Sequence, residues 1–223
     1  MNSSNVSSIV RKLITSRPFV KECLVEGVVN YSALARLLTR ELESMEVRAS
    51  HSAVKVALTR IRRDLLKSEE SLRSKLKHIL SSSVLQLQTD LKVVTVRKHS
   101  ILLKLPDVAK VMETSRFSQL LQGVNTFTVI ISRENFNELL KHLNMNDVVE
   151  VLEDQAAVIL ISPREIVETP GVVAFVTSTL YENDINITQI VSCYSDTIIL
   201  VDSSKISDAF RVLESLIKSM RAS

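Results

Sequence analysis

Glycine is scarce: the 223 residues contain only 3, where average usage of ~7% would give about 16. Phosphate cradles of the dinucleotide or P-loop kind need several glycines within a few residues so that backbone can approach phosphate. Gly27, Gly123 and Gly171 lie far apart, which excludes such cradles. Cysteine is rarer still. Cys23 and Cys193 stand most of a chain apart and fit a reducing compartment, with both expected as buried thiols rather than as a disulfide. The four histidines, His51, His78, His99 and His142, are scattered, and no HExxH, CxxC or GxSxG arrangement occurs. No metal, no cofactor and no catalysis are therefore expected. The acidic pairs Glu69-Glu70 and Glu153-Asp154 are read as turn or solvated-face residues rather than an acid–base site. No stretch reaches the ~20 apolar residues of a membrane span, and the opening MNSSNVSSIVRKL has no apolar leader core. The expectation is a soluble cytoplasmic protein without membrane contact.

What is present divides at one place. Residues 1–78 carry 15 Lys+Arg against 8 Asp+Glu, net +7, and residues 79–223 carry 13 against 17, net −4, which together give the overall +3. The long β-branched runs VVTV, TVII, AAVILIS and TIILV all fall in the second part. The expected fold class is α+β: a basic helical domain with a connecting helix, residues 1–82, then two sheet-forming units, residues 83–154 and 155–223, with a hinge at Ser81–Ser83.

In the basic part, helices are expected from Val6 to Ser16, ended by the restriction Pro18 places on Arg17, and from Phe19 to Glu26, with Gly27 as C-terminal cap. Asn30 is the N-cap of a third, with Leu34, Leu38, Leu42 and Met45 as its buried stripe. A fourth, SAVKVALTRIRRDLLK, gathers Val54, Ala57, Leu58, Ile61 and Leu65 in one arc and turns Ser52, Lys55, Thr59, Arg62 and Arg63 away from it. Arg and Lys bind phosphates and small polar side chains reach base edges, so these five are the candidate nucleic-acid-binding residues. The segments NYSALARLL and SHSAVKVALTRIRRDL resemble the scaffold and recognition helices of winged-helix regulators, a helix-turn-helix arrangement. The ELESMEVRA connection is longer than the usual turn, and no clear wing hairpin follows. A solvated basic face is the alternative. KSEESLRSKLKHIL continues the helix, with Leu65, Leu72, Leu76 and Ile79 forming a stripe that suits either its own domain or a short coiled coil with a second chain.

The acidic part is a duplication. SQLLQGVNTFTVIISRENFNELLKHL, residues 118–143, aligns without a gap with TQIVSCYSDTIILVDSSKISDAFRVL, residues 188–213, at an offset of 70. At an offset of 64, PDVAKV from Pro106 aligns with PGVVAF from Pro170, so the first copy's early helix is expected to be about six residues shorter. LKVVTVR matches AAVILIS as a first strand. Each copy reads strand, helix, strand, strand, helix, and DVVEVLE offers the first a last strand, which is the βαββαβ ferredoxin-like order. The second copy ends without that strand. SVLQLQTDL and SILLKL are spare strand candidates upstream, so either the copies interleave or an open edge pairs with another chain.

The segments AAVILIS, ETPGVVAFVTSTLYENDINITQIVSCYSDTIILVD and DAFRVLESL resemble the ACT domain, a small-molecule regulatory module of amino-acid metabolism. The TPG turn, the IN pair and the Ser of QIVS are similar to the ACT units that end aspartokinases. As a whole the chain resembles archaeal-type proteins in which a helical domain precedes a tandem ACT region. The resemblance implies an effector, such as an amino acid, bound between paired units by the first strand-to-helix turn and the neighbouring second strand. It carries over to Pro170, Gly171 and Val172, whose backbone can approach a ligand because Gly171 has no Cβ, and to Asn186 and Ile187. In the first copy Asp107 replaces the glycine and puts a negative charge where a carboxylate would sit. The resemblance further implies side-by-side units in a homodimer, although many ACT units serve only to dimerise. Joined to the basic helix, it points to a DNA-binding regulator that senses a metabolite. A sensory or scaffold subunit that docks on a metabolic enzyme is the alternative, and RNA binding is a third.

Overall fold

A computed structural model describes residues 3–222. The chain divides into two compact units, Met1–Ser74 and Lys75–Ser223.

The first unit is built from α1 (Ser3–Thr15), α2 (Pro18–Glu26), α3 (Tyr31–Ser44) and the start of α4 (His51–Ser82). Local signals set the ends. Pro18 opens α2 where its missing N–H costs nothing, and Gly27 closes it in the left-handed conformation at φ 81°. Asn30 Oδ1 accepts from the N–H groups of Ser32 and Ala33, both at 3.1 Å. On α4, Val54, Leu58 and Ile61 are fully buried and Ala57 and Leu65 nearly so, in one cluster with Val10, Ile14, Leu24, Leu38 and Leu42. Met45, expected in the α3 stripe, is instead exposed. The helix stops before it. Glu46 turns left-handed at φ 59°, and Val47, buried, sends its N–H back to the Leu42 carbonyl at 2.8 Å, the ending in which a residue beyond the cap covers the last turn.

The second unit holds one antiparallel sheet. In chain order it contains β1 (Val84–Arg97), α5 (Lys98–Leu102), α6 (Leu105–Thr114), β2 (Ser118–Gln122), β3 (Thr126–Ser132), α7 (Arg133–Lys141), β4 (Val148–Ile161), α8 (Val172–Tyr181), β5 (Gln189–Cys193), β6 (Asp196–Asp202) and α9 (Ile206–Ala222). The six strands lie in the order β2-β3-β1-β4-β6-β5. Phe136, Leu139 and Leu143 are buried, as are Ile206, Ala209 and Leu213 at the aligned positions of the second copy.

Each long central strand has a divided duty. Leu91 to Arg97 of β1 pairs with β3, whereas Val84 to Gln88 runs past β3 and pairs with Ala157 to Ile161 of β4. Residues 84–88 thus supply the strand that the second copy lacks. Asp90 and Asp154 sit near the register shift between these stretches, both left-handed, at φ 56° and 49°. Aspartate tolerates that conformation better than most residues, and an irregularity of this kind lets a strand bend. SILLKL, the other spare candidate, is not a strand: its residues form α5 and the turn into α6. The two early helices are equally long, ten residues each. The length difference is split instead between the loops after them, residues 115–117 against 182–188, and the segments before them, residues 98–104 against 162–171.

Alternation along the strands separates two faces. On one, Val158, Leu160 and Ile199 pack with α8, α9 and the last turns of α4, through Leu76, Ile79 and Leu80; Val94, Val129 and Ile131 pack with α6 and α7. On the other, Leu91, Val93, Ile130, Ala157, Ile198 and Leu200 form a buried cluster drawn from strands, with Phe117 beside it. The curl of the sheet encloses that cluster, for Cys193 Sγ on β5 lies 3.9 Å from Gln119 Oε1 on β2, at the opposite edge.

Two further expectations fail. Ser81–Ser83 is no hinge: Ser83 is buried, its hydroxyl 2.8 Å from the Ile79 carbonyl and 2.9 Å from Ser162 Oγ. Arg221 of α9 also donates to the Ser81 and Ser83 carbonyls at 2.8 and 2.9 Å. Both cysteines are exposed, Cys23 on the outer face of α2 and Cys193 at the end of an edge strand.

Candidate functional site

Gly171 is the N-cap of α8, at φ 94°, a conformation that side-chain-bearing residues rarely adopt. A Cβ there would meet nothing within 4 Å, so the dihedral angle, not crowding, demands glycine. The Phe175 N–H bonds the Gly171 carbonyl at 2.8 Å. The earlier N–H groups of α8, those of Val172, Val173 and Ala174, have no intrahelical acceptor. The turn borders a depression of about 360 Å³ whose lining includes Ile166, Val167, Gly171, Val172, Ser192 and Tyr194. Asn186 and Ile187 line a different depression, of about 570 Å³, with Thr177, Tyr181 and Asp184. Pro170 is exposed and lines neither. The structure therefore joins Gly171 and Val172 to Ser192 and Tyr194 and sets Asn186 and Ile187 apart. Ser192 was marked by its place in QIVS; Tyr194, left-handed at φ 56° at the hairpin tip, carried no sequence signal.

The first copy has no such turn. Asp107 lies inside the first turn of α6, which begins at Leu105, where a carboxylate favours the helix N-terminus. Glu153 and Asp154 are held in ion pairs, with Lys92 and Arg133 respectively, and Lys92 Nζ also lies 4.7 Å from the Phe136 ring centroid. The side chain of Glu69 lies outside the described residues.

On α4, Ser52, Lys55, Thr59 and Arg63 are exposed. Lys55 Nζ donates to Ser32 Oγ at 3.0 Å, and the Thr59 hydroxyl to the Lys55 carbonyl at 3.1 Å. Arg62 has a different task. Its Nε donates to the Val25 carbonyl at 3.2 Å, and its guanidinium lies over Gly27 so closely that a Cβ there would be 2.7 Å from Nη2. A cation on the last carbonyls of α2 suits that end of a helix. Arg36 and Arg40 on α3, and Arg60, Arg63 and Lys67 on α4, are exposed and make no ion pair among the described residues. The first unit has no strand among its described residues, hence no wing.

Among the described residues no group of three or more His, Cys, Asp or Glu side chains is placed to hold a metal ion, and no helix is long and apolar enough to cross a membrane.

Residues 150–215 match the ACT domain family, a stretch that runs from the third residue of β4 into α9. No curated protein matches the chain. Among solved structures it is similar to the aspartate kinase of Clostridium acetobutylicum, at 15% identity over 58% of this chain and 33% of that one, with a TM-score of 0.47. It is also similar to the regulatory subunit of aspartate kinase from Thermus thermophilus, at 16% identity over 59% and 94%, TM-score 0.47. A third is E. coli aspartokinase III in complex with lysine and aspartate, at 18% identity over 60% and 32%, TM-score 0.43.

Proposed function

We propose that this chain is a ligand-responsive regulatory protein without a catalytic step, whose sheet-forming unit senses a small metabolite of the amino-acid class and whose basic helical unit passes the signal to DNA. The observation that carries the reading is the ACT domain match over residues 150–215, because it falls on the copy that has the left-handed Gly171 turn beside an open depression. In this reading the six-stranded sheet is a tandem ACT pair of ferredoxin-like units with a shared centre, in an archaeal-type chain. The effector's carboxylate meets the free N–H groups of α8, with Ser192 from the neighbouring strand.

Two copies pair along α8. VVAFVTSTLY contains no charged residue, and Val173, Phe175 and Tyr181 are 40%, 39% and 80% exposed. A face without charge meets its own copy without like-charge repulsion, as a two-fold interface requires. An effector that favours one pairing over another then alters the spacing of the two basic units, and only its differential affinity for the two arrangements drives that change.

The test is DNA binding over a salt series. Phosphate neutralisation makes affinity fall as salt rises, and absence of binding at low salt would remove DNA from the reading. A thermal-shift screen with the twenty amino acids tests the sensing half, since a ligand that prefers the native state raises apparent stability; a flat screen would leave a purely dimerising pair. A second reading, docking on a metabolic enzyme, is favoured by Phe19 and Val28, which are 83% and 74% exposed on the helical unit. Lys55→Ala combined with Arg63→Ala separates the two, because loss of DNA affinity in a folded variant supports the first and unchanged affinity the second.

A further inference from the structure

In the first unit α2 and α3 are separated by residues 27–30 alone, and that turn is fixed from several sides. Gly27 and Val28 both send their N–H groups back to the Cys23 carbonyl, each at 3.1 Å. Arg62 covers the left-handed glycine from α4, and Asn30 caps the helix that follows. α4 also holds the start of α3, with His51 Nε2 at 3.3 Å from the Ser32 carbonyl oxygen and Lys55 Nζ at 3.0 Å from Ser32 Oγ. A helix, a turn of three or four residues containing glycine, and a second helix is the arrangement that presents its second helix to a DNA groove. The sequence points one helix further, to α4 after the long ELESMEVRA connection, but the short locked turn stands before α3.

The surface of α3 suits that position. Ala35, Leu38 and Leu42 are buried, and Ala33, Arg36, Leu37 and Arg40 are exposed on the opposite side. At 3.6 residues per turn those four fall within an arc of about 100°. Neither arginine has an ion pair or a side-chain hydrogen bond among the described residues, and Leu37 is 47% exposed. Glu43, exposed further along, bounds this face to residues 31–40. Cations interleaved with aliphatic carbon match the edges of bases: an arginine fork donates to guanine O6 and N7, and an alkyl group meets the thymine methyl. The outward side of α4 offers less to read. Arg62 is committed to α2 and the Thr59 hydroxyl to the Lys55 carbonyl, and what remains, chiefly Arg60, Arg63 and Lys67, is charge that binds phosphate without distinguishing sequence.

We propose that α3 is the helix that enters the major groove of B-form DNA, with Arg36 and Arg40 on guanine and Ala33 and Leu37 against thymine methyls. α4 supplies the contacts to phosphate that are independent of sequence, Lys55 beside the entry of α3 among them. This rests on the DNA reading above and adds to it the four residues that set the sequence preference.

The test uses the full chain. Sites are selected from a pool of random-sequence DNA duplexes, and affinities for the selected duplex and a scrambled one are measured by fluorescence anisotropy. Arg36→Lys with Arg40→Lys keeps both charges and loses the guanidinium fork. It should weaken binding of the selected duplex about tenfold or more and leave the scrambled one almost unchanged. Leu37→Gln should shift the preferred base at one position when the selection is repeated. Lys55→Ala with Arg63→Ala should weaken both duplexes alike and flatten the salt dependence. Selection that enriches no sequence, α3 variants that leave the preference intact, or a preference changed only by the α4 variant overturns the proposal while DNA binding stands. An RNA duplex that competes as well as the selected DNA also overturns it, because the A-form major groove is too narrow for side chains to read. If the parent chain binds no duplex at low salt, the DNA reading falls and the proposal with it. Should the double lysine variant misfold by circular dichroism, Arg36→Lys alone and Leu37→Gln decide between the same outcomes.

Discussion

The position of Arg62 makes a quantitative prediction about Gly27. Arg62→Ala removes a hydrogen bond from a charged donor to the Val25 carbonyl and a cation from the end of α2, a loss of about 1–2 kcal/mol. Gly27→Ala places a Cβ at φ 81°, which costs about 1 kcal/mol for a residue in the left-handed region. It also puts that Cβ 2.7 Å from Nη2 and 3.2 Å from Cζ of Arg62. Backbone cannot yield there, but a guanidinium at the end of a flexible stem can, so the arginine leaves and its bond is lost as well. Gly27→Ala should therefore cost about 2–3 kcal/mol alone and only about 1 kcal/mol when Arg62 is already alanine. The pair falls short of additivity by about 1–2 kcal/mol, well outside the ~0.5 kcal/mol scatter of independent sites. Urea unfolding of the four proteins, monitored by circular dichroism with each unit's transition fitted separately, measures the cycle. Full additivity, or an Arg62→Ala variant as stable as the parent, would refute the assignment of Arg62 to the α2 terminus and return it to the free basic face.

Ser83→Ala should cost about 1–3 kcal/mol, because it leaves Ser162 Oγ buried without its 2.9 Å partner; adding Ser162→Ala should recover part of the loss in the same unfolding assay. Leu38→Ala should cost about 2–5 kcal/mol and Met45→Ala less than about 1 kcal/mol, reversing the expectation that both face the core. Asp202 accepts from the Ser204 hydroxyl at 2.6 Å and from its N–H at 2.9 Å, and these bonds hold its carboxyl below the ordinary aspartate value. The ionised form is the one favoured by folding, so its contribution is present above the unfolded pKa and fades as pH falls through the lower folded one. An NMR titration should find that low midpoint and see Ser204→Ala raise it; a midpoint at or above the ordinary value would exclude the cap.

The helical unit was legible where a single residue type dictates geometry: Gly27 and Asn30 sit at the caps their chemistry requires, and the stripe from Val54 to Leu65 faces inward because its spacing leaves no other choice. The end of α3 was not legible, since a left-handed glutamate at Glu46 leaves no glycine as a mark. Arg62 and Arg63 are adjacent on a helix, and only the place where α2 terminates separates a capping arginine from an exposed one. In the second unit the repeat was plain in the sequence, but the partner of SVLQLQ was not, because alternation states that a strand has two faces and not which neighbour it pairs with. SILLKL is a short apolar run of the kind that periodicity cannot assign. At the candidate turn, Gly171 was found from its type. Asn186 was grouped with it although the ten residues of α8, at 1.5 Å each, hold the two ends of that helix about 15 Å apart.

The pairing of Val84 to Gln88 with Ala157 to Ile161 also fixes a timetable. A nascent chain emerging from the ribosome presents the first of these segments long before the second exists, so one edge of the future sheet centre waits unpaired while the whole first copy is synthesised. The first copy can pair its own strands meanwhile, since Val93 to Val96 meets Val148 to Leu152, but closure of the shared centre awaits a long-range contact of the kind that slows folding. The same thread binds the two halves of the gene: the second copy cannot be excised, shuffled or fused elsewhere as a self-sufficient cassette, because its last strand is encoded ahead of the first.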